Sequence, residues 1–292
     1  MKSFKQYITE ATLHKPITQH IFNNYASGPY KNNIKHTYEN GRVLLRGSHN
    51  EKLIHNAISL YGFSDSERKS ANTSNMYNAI VSSGILDSWE KYPKRNTSFI
   101  CTNDQHYASG YGTILAVIPP DGTLLGECSS FDFWYSFKFL KRLGFEAMDD
   151  FNSILELFID IVMNDDSVNT LGTQSTEYIR NEIVKCSNKI RKLGSQKLLE
   201  HVKSELQKND DVWGHGELIL NLTNDIIKNS DGTSLDFIKY LDDIMSPATN
   251  DFKLVDYTQI TETGRRELWF SGNALFVSDF GEFNKMCAEY YK

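Results

Sequence analysis

The sequence predicts an α+β protein whose strands fall in two groups separated by a block of helices. Between residues 40 and 140, short apolar runs typical of strands alternate with helical segments. Between residues 148 and 246, apolar residues recur at helical spacing, as Phe151, Ile154 and Phe158 do. Short strand-like runs return after Pro247. These three observations are the basis of the α+β assignment.

The first group of strands is bounded by residues that favour turns. Apolar runs at 41–46 and 97–102 predict two strands. The run at 113–118 is continuously apolar, so we expect a buried strand that stops at Pro119. An Asp-Gly turn follows, and residues 123–126 return as the partner strand of a hairpin.

Helices and the second group of strands follow from the same patterns. Helices are predicted at 70–81, 178–193, 196–206, 218–227 and 234–245. Strands are predicted at 252–257, 267–270 and 273–277. Ser271 and Gly272 favour a turn between the last two strands.

Composition excludes several classes of protein. The chain has 292 residues, of which 40% are hydrophobic and 23% are charged, as in ordinary globular proteins. A net charge of -6 argues against a broad nucleic-acid surface but leaves room for a local basic patch. No apolar run reaches the roughly 18 residues of a membrane span, so no membrane partner is expected. The four cysteines form no CxxC pair and the eight histidines lack metal-ligand spacing, so no metal site is expected.

Three separate pieces of sequence could carry chemistry, since HExxH, GxSxG, P-loop and GxGxxG patterns are all missing. Arg46, at the end of a predicted strand, can hold a diphosphate with its planar guanidinium. The strand 97–102 carries hydroxyl side chains and leads to Asp104, which suits a helix N-cap. Glu267 follows a polar loop, where a carboxylate can stabilise positive charge at an anomeric carbon. Taken singly, each piece also fits an ordinary strand-end or edge-strand residue.

In this order, the three pieces resemble the ADP-ribosyltransferase family, and within it the Arg/Ser-Thr-Ser/Glu branch. The resemblance covers about residues 40–128 and 252–278. It implies a split pair of small β-sheets around an NAD cleft, in a domain of residues 11–292 with a helical insertion at about 138–250. NAD is the implied co-substrate. Arg46 would support its phosphates, and Glu267 would bond the 2′-hydroxyl of the nicotinamide ribose.

The resemblance places the nicotinamide pocket at the strand that corresponds to Ser-Thr-Ser. Here the triplet reads Cys101-Thr102-Asn103, so only the central threonine is kept. Ser98 shares a strand face with Thr102 by the period of two and can supply the missing hydroxyl. Phe99 adds an aromatic ring to the same predicted pocket.

The residue two positions before Glu267 does not identify the acceptor of ADP-ribose. Members of the family that modify arginine carry Glu or Gln there, whereas this chain has Arg265. The resemblance therefore does not support arginine as the modified side chain. A host protein or a nucleic acid could be the acceptor.

The first ten residues predict a short amphipathic helix, because Phe4, Tyr7 and Ile8 fall at i, i+3 and i+4. They also resemble the capsid-targeting propeptides of internal head proteins in large tailed bacteriophages, which start with Met-Lys and end in Ile/Leu-x-Glu before a small residue. Here the sequence Ile-Thr-Glu10 precedes Ala11. The resemblance implies a protein carried inside the virion, cut after Glu10 and ejected into the host cytoplasm. We expect it to act as a monomer.

Three hypotheses for the function are compatible with the sequence. In the first, the chain transfers ADP-ribose from NAD to a host macromolecule, or hydrolyses NAD if water takes the place of the acceptor. In the second, it is a non-enzymatic internal head protein that binds and inhibits a host factor. In the third, it is an unrelated α+β protein. A cleft lined by Arg46, Thr102 and Glu267 would favour the first, because a binding module has no need of that convergence.

Overall fold

The computed structural model describes residues 17–62, 67, 74–164, 171–208, 214–230, 235–260 and 264–292. Within these ranges it contains eleven α-helices and eight β-strands, which confirms the α+β class. The chain divides into two compact units, one formed by Met1–Arg68, Tyr92–Phe133 and Phe252–Lys292 and the other by Lys69–Lys91 and Trp134–Asp251. The propeptide predicted at 1–10 lies outside the described residues, as does part of the helix predicted at 70–81.

The strands are β1 (Leu45–Ser48), β2 (Ile58–Gly62), β3 (Phe99–Thr102), β4 (Thr113–Ile118), β5 (Leu124–Glu127), β6 (Lys253–Asp256), β7 (Glu267–Phe270) and β8 (Asn273–Val277). The helices are α1 (Gln19–Ala26), α2 (Lys31–Asn40), α3 (Glu51–Ile54), α4 (Met76–Ser82), α5 (Gln105–Ser109), α6 (Phe139–Leu143), α7 (Met148–Met163), α8 (Thr176–Lys208), α9 (Gly216–Lys228), α10 (Phe237–Met245) and α11 (Phe280–Tyr290). All the strands belong to the first unit, and α4 and α6 to α10 belong to the second.

The strands of the first unit form one open sheet in the order β2-β8-β4-β1-β3-β7-β5-β6, with antiparallel neighbours throughout. This corrects the expectation of two separate small sheets. The two halves meet where Leu45 of β1 lies opposite Thr102 of β3, the one register pair between these strands in the described part of the chain. Pairing there satisfies backbone groups that two separate sheets would leave open along two edges.

The sheet buries apolar side chains on both of its faces, since successive side chains of a strand alternate between them. One face carries a core that includes Phe99, Leu115 and Phe270. On the opposite face, β4 and β8 contribute Ile118 and Leu275 to a second core that also contains apolar residues of α1, α2 and α11. The part of that face formed by β3 and β7 carries Thr102, Glu267 and Trp269.

The first strand differs from its predicted span, whereas three others match theirs. The predictions at 113–118, 267–270 and 273–277 are confirmed by β4, β7 and β8. Arg46 was expected at a strand end, but β1 continues through Ser48 because its residues pair with β4. Gly47 lets α5 approach β1 closely, since a Cβ there would lie 2.1 Å from the carbonyl oxygen of Ala108.

The second unit is helical, and α6 to α10 lie within the segment 138–250 that was predicted as an insertion. Helix α7 buries the predicted apolar face of Phe151, Ile154 and Phe158. Helix α8 is broken at Gly194, whose φ of 72° interrupts the regular helix between the two predicted helical segments. Among the described residues, none of the helices combines the length and apolar character that crossing a membrane requires.

Candidate active site

The candidate site is built on the paired strands β3 and β7. Their register places Thr102 directly opposite Glu267, so the two side chains emerge on the same face of the sheet. Both residues are 4% exposed. A glutamate is almost never this deeply buried without a cationic or hydrogen-bonding partner. Glu267 therefore needs such a partner, and Arg95 provides it.

Arg95 forms a buried ion pair with Glu267. Its Nη2 and Nε atoms lie 2.8 Å and 3.1 Å from Oε1 of Glu267, and its guanidinium lies 4.6 Å from the centre of the Phe133 ring. The side chains of Arg95 and Glu267 are only 9% and 5% exposed. Two contacts from one guanidinium to one oxygen restrict how the carboxylate can turn. The ion pair therefore fixes the orientation of Glu267 at the start of β7.

Aromatic rings surround this ion pair within the first unit. Trp269 follows Glu267 by two residues and shares its face, and its indole lies against Gly126, where a Cβ would come within 2.2 Å of the ring. The Trp269 Nε1 donates to the carbonyl of Pro93 at 2.8 Å, just before Arg95. The rings of Phe133 and Trp269 meet edge to face at 5.6 Å. These contacts hold the segment that carries Arg95 against β7.

Sequence reasoning missed Arg95. The residue belongs to a single 3-10 turn, Arg95–Thr97, that leads into β3, and an arginine in such a turn resembles any surface cation. Its pairing with Glu267 spans 172 positions of the chain. The one sequence feature that could have drawn attention to Arg95 is its position just before the strand with hydroxyl side chains. That position does not reveal that Glu267 is its partner.

Arg46 contacts β3 but does not share the face of Thr102 and Glu267. Leu45 lies opposite Thr102, so the next residue, Arg46, faces the other way together with its own partner Leu115. Arg46 donates from Nη1 to the carbonyl oxygen of Ile100 at 3.2 Å. Arg46 therefore lies on the opposite face of the sheet from Thr102 and Glu267.

The other predicted site residues on β3 are divided by the same alternation. Phe99 and Cys101 are 0% and 3% exposed and belong to the hydrophobic core on the face of Leu115. Ser98 is buried just ahead of the strand, and its hydroxyl is 2.8 Å from that of Ser271 and donates to the carbonyl of Lys94 at 2.8 Å. Of the predicted residues from Ser98 to Thr102, the register thus places Thr102 directly beside Glu267.

Asn103 ties the segment before Glu267 to the end of β3. Its amide nitrogen donates to the carbonyl of Gly264 at 2.6 Å, and its amide oxygen accepts from the backbone N–H of Arg266 at 2.8 Å. These two bonds imitate one further step of the β3–β7 ladder. Asn103, predicted to bind the cofactor, thus holds the backbone on both sides of Arg265.

Arg265 lies over two aromatic rings beside this segment. Its guanidinium carbon is 4.2 Å from the centre of the Tyr107 ring and 4.8 Å from that of Phe131. The Tyr107 hydroxyl donates to Asp132 at 2.9 Å and accepts from Tyr111 at 3.3 Å. Burial raises the pKa of Tyr107, and Tyr111 and Asp132 raise it further, so the phenol keeps its proton and remains a donor.

No metal site accompanies this arrangement in the described ranges, where no group of three or more His, Cys, Asp or Glu residues is placed to hold an ion. Comparison of the chain with protein-family models, with curated proteins and with solved structures finds no match. The chemistry of these residues, and the resemblance in their order along the chain, are therefore the grounds on which a function can be proposed.

Proposed function

We propose that the chain is an NAD-dependent ADP-ribosyltransferase with Glu267 as its catalytic carboxylate. The observation that carries the proposal is the setting of Glu267: it is 4% exposed, lies opposite Thr102 and is held by Arg95 at 2.8 Å. A carboxylate fixed in a site of low dielectric acts strongly on positive charge that develops beside it.

The proposed NAD cleft lies on the β3–β7 face and reaches the junction of β1 with β3. Thr102 and Glu267 would meet the nicotinamide ribose, while Phe99 and Cys101 support the strand from the core. Arg46, which contacts β3 at the carbonyl of Ile100, would hold the diphosphate at the junction. In this proposal, Arg46 binds the diphosphate at the β1–β3 end of the cleft, whereas Glu267 acts on the ribose from the opposite face of the sheet.

The proposed reaction breaks the bond between C1′ of the ribose and the nicotinamide nitrogen. Nicotinamide leaves with the bonding electrons, and C1′ gains the positive character of an oxocarbenium ion. Glu267 stabilises that charge because its carboxylate is oriented before the bond breaks. A nucleophilic atom of the acceptor then attacks C1′ and loses its proton to solvent, which leaves ADP-ribose attached to the acceptor.

The experiment that tests this function incubates the full chain with NAD labelled in the adenine moiety, with and without bacterial lysate. We expect released nicotinamide and a labelled macromolecule that appears only with lysate. Release of nicotinamide with no labelled macromolecule would assign NAD hydrolysis instead of transfer. A protein that releases no nicotinamide under either condition would refute the enzymatic proposal and favour a binding protein.

We further propose that the protein is carried in a bacteriophage head and ejected into the host, which rests on the propeptide-like residues 1–10. If so, the chain recovered from purified virions starts at Ala11, because cleavage follows Glu10. Mass spectrometry of the N-terminal peptide measures this directly. A virion-derived chain that still begins at Met1, or a purified virion that lacks the chain, would contradict the proposal.

A further inference from the structure

Arg265 is an exposed arginine whose guanidinium lies over aromatic rings. Among the described residues, no carboxylate lies within ion-pair distance of it and no hydrogen bond from its guanidinium is found, although Arg266 beside it contacts Glu127 at 3.9 Å. Its guanidinium instead lies over the rings of Tyr107 and Phe131. Since the N–H groups of a guanidinium point outward in its plane, a group stacked on rings still presents those donors.

The aromatic residues around Arg265 are themselves accessible. Tyr111 is 52% exposed and Phe131 is 37% exposed, whereas Tyr107 is half-buried. The helix that carries Tyr107 packs closely against β1, because a Cβ at Gly47 would lie only 2.1 Å from the carbonyl oxygen of Ala108. The rings of Tyr107 and Tyr111 pack edge to face at 5.4 Å. Packing therefore holds Tyr107 and Tyr111 in defined positions.

The position of this surface links it to the candidate site. Arg265 lies two residues before Glu267, and Asn103 holds the backbone on both sides of it at Gly264 and Arg266. A ligand on Arg265 would consequently lie near the carboxylate that acts on C1′ of the ribose. That is where an acceptor must be placed for its nucleophile to attack.

We propose that Arg265, Tyr107, Tyr111 and Phe131 form the acceptor site and that the acceptor is a single-stranded polynucleotide. This inference rests on the proposed function. The exposed ring of Tyr111, and the part of the Phe131 ring that Arg265 does not cover, can stack on bases, and the N–H groups of Arg265 can bond phosphate oxygens or a base edge. An arginine acceptor would meet the like charge of Arg265 instead. An acidic peptide would use the cation but has no planar groups for the rings.

The charges nearby limit the site to a small number of phosphate contacts. Asp132 lies next to the rings through its bond with Tyr107, and the whole chain has a net charge of -6. A long phosphate track would be repelled by this balance. The expected affinity is therefore modest and its dependence on salt is shallow.

The test measures the binding of the full chain to fluorescein-labelled single-stranded DNA and RNA of about twelve nucleotides, within the site size of one binding fold. Fluorescence anisotropy is recorded over a series of salt concentrations, without NAD. Arg265→Ala is expected to weaken binding about tenfold, in line with the loss of one stacking and phosphate contact, and to lower the salt slope by about one. Arg265→Lys keeps the charge and is expected to retain the salt slope while it loses affinity.

Arg42→Ala is the matched control. Arg42 is also exposed and its guanidinium lies 4.8 Å from the centre of the Phe280 ring, but it precedes β1 and takes no part in the site. We expect this variant to bind like the wild type. Equal losses in Arg265→Ala and Arg42→Ala would overturn the inference, because net charge alone would then explain them. Tighter binding of a fluorescein-labelled polyglutamate peptide than of both oligonucleotides would also overturn it.

The two proposals can fail separately in this design. If the chain releases nicotinamide from NAD but binds neither oligonucleotide, the acceptor inference is wrong and the enzymatic function stands. If it binds oligonucleotides through Arg265 but never cleaves NAD, the binding site stands and the enzymatic function is wrong. If both hold, labelled ADP-ribose is expected on one of the oligonucleotides, and Arg265→Ala is expected to raise the KM for that oligonucleotide.

Discussion

Replacement of Glu267 with glutamine is expected to slow NAD cleavage by about a hundredfold to a thousandfold, with a small change in the KM for NAD. The positive charge moves from the nicotinamide ring onto the ribose only as the bond breaks, so the loss of Glu267 acts on kcat. Glutamine keeps the oxygen to which Arg95 donates at 2.8 Å and 3.1 Å, so the local geometry should survive. Nicotinamide release, measured over a range of NAD concentrations, separates the two constants.

The matched control for this variant is Glu182→Gln in the helical unit. Glu182 is also a buried glutamate with a cationic partner, since it is 6% exposed and accepts from Lys185 at 2.7 Å. This control tests whether the loss of a buried, ion-paired carboxylate slows the reaction merely because it destabilises the fold. We expect Glu182→Gln to keep wild-type kcat. A Glu267→Gln protein that cleaves NAD at the wild-type rate would refute the catalytic assignment.

Replacement of Arg95 with methionine is expected to lower the free energy of unfolding by about 3–5 kcal/mol, because it removes one partner of a buried ion pair. The side chains of Arg95 and Glu267 are 9% and 5% exposed, so water screens the remaining charge poorly. Glu267→Met is expected to be similarly costly because it leaves the Arg95 cation buried. Urea unfolding followed by tryptophan fluorescence measures both.

The double variant, Arg95→Met with Glu267→Met, is expected to recover much of the loss, since neither charge then remains buried. A coupling energy near zero would show that the two side chains do not act as a pair. The control is the same cycle on Lys239 and Asp243, which lie 3.2 Å apart with 69% and 60% of their side chains exposed. Their coupling is expected below about 1 kcal/mol, because solvent screens exposed pairs.

Local patterns in the sequence were sufficient for several elements of the fold. The continuous apolar run from Thr113 to Ile118 predicted β4 with the same bounds, and the Ser271-Gly272 turn separated β7 from β8 as predicted. Gly194 marked the break in α8 because glycine tolerates a φ of 72° that other residues resist. Each of these signals depends on residues that are neighbours in the chain.

The register of the strands determines which strands pair and which face each side chain occupies, and local patterns do not predict it. Residues 41–46 and 97–102 predicted two strands, but not that Leu45 would pair with Thr102. That single pair sends Arg46 to the opposite face from Glu267, since a shift of one residue exchanges the faces of a strand. It also joins the two expected sheets into one.

The sequence by itself determined the α+β class, the central helical block and the placement of Glu267 at the start of a strand. Only the tertiary structure decided that Arg95 is its partner, that Asn103 holds the segment around Arg265, and that Tyr107 and Phe131 meet that arginine. The reason is the range of the interactions. Periodicity and turn chemistry act between residues close in the chain, whereas the Arg95–Glu267 ion pair joins residues 172 positions apart, which come together only when the sheet has formed.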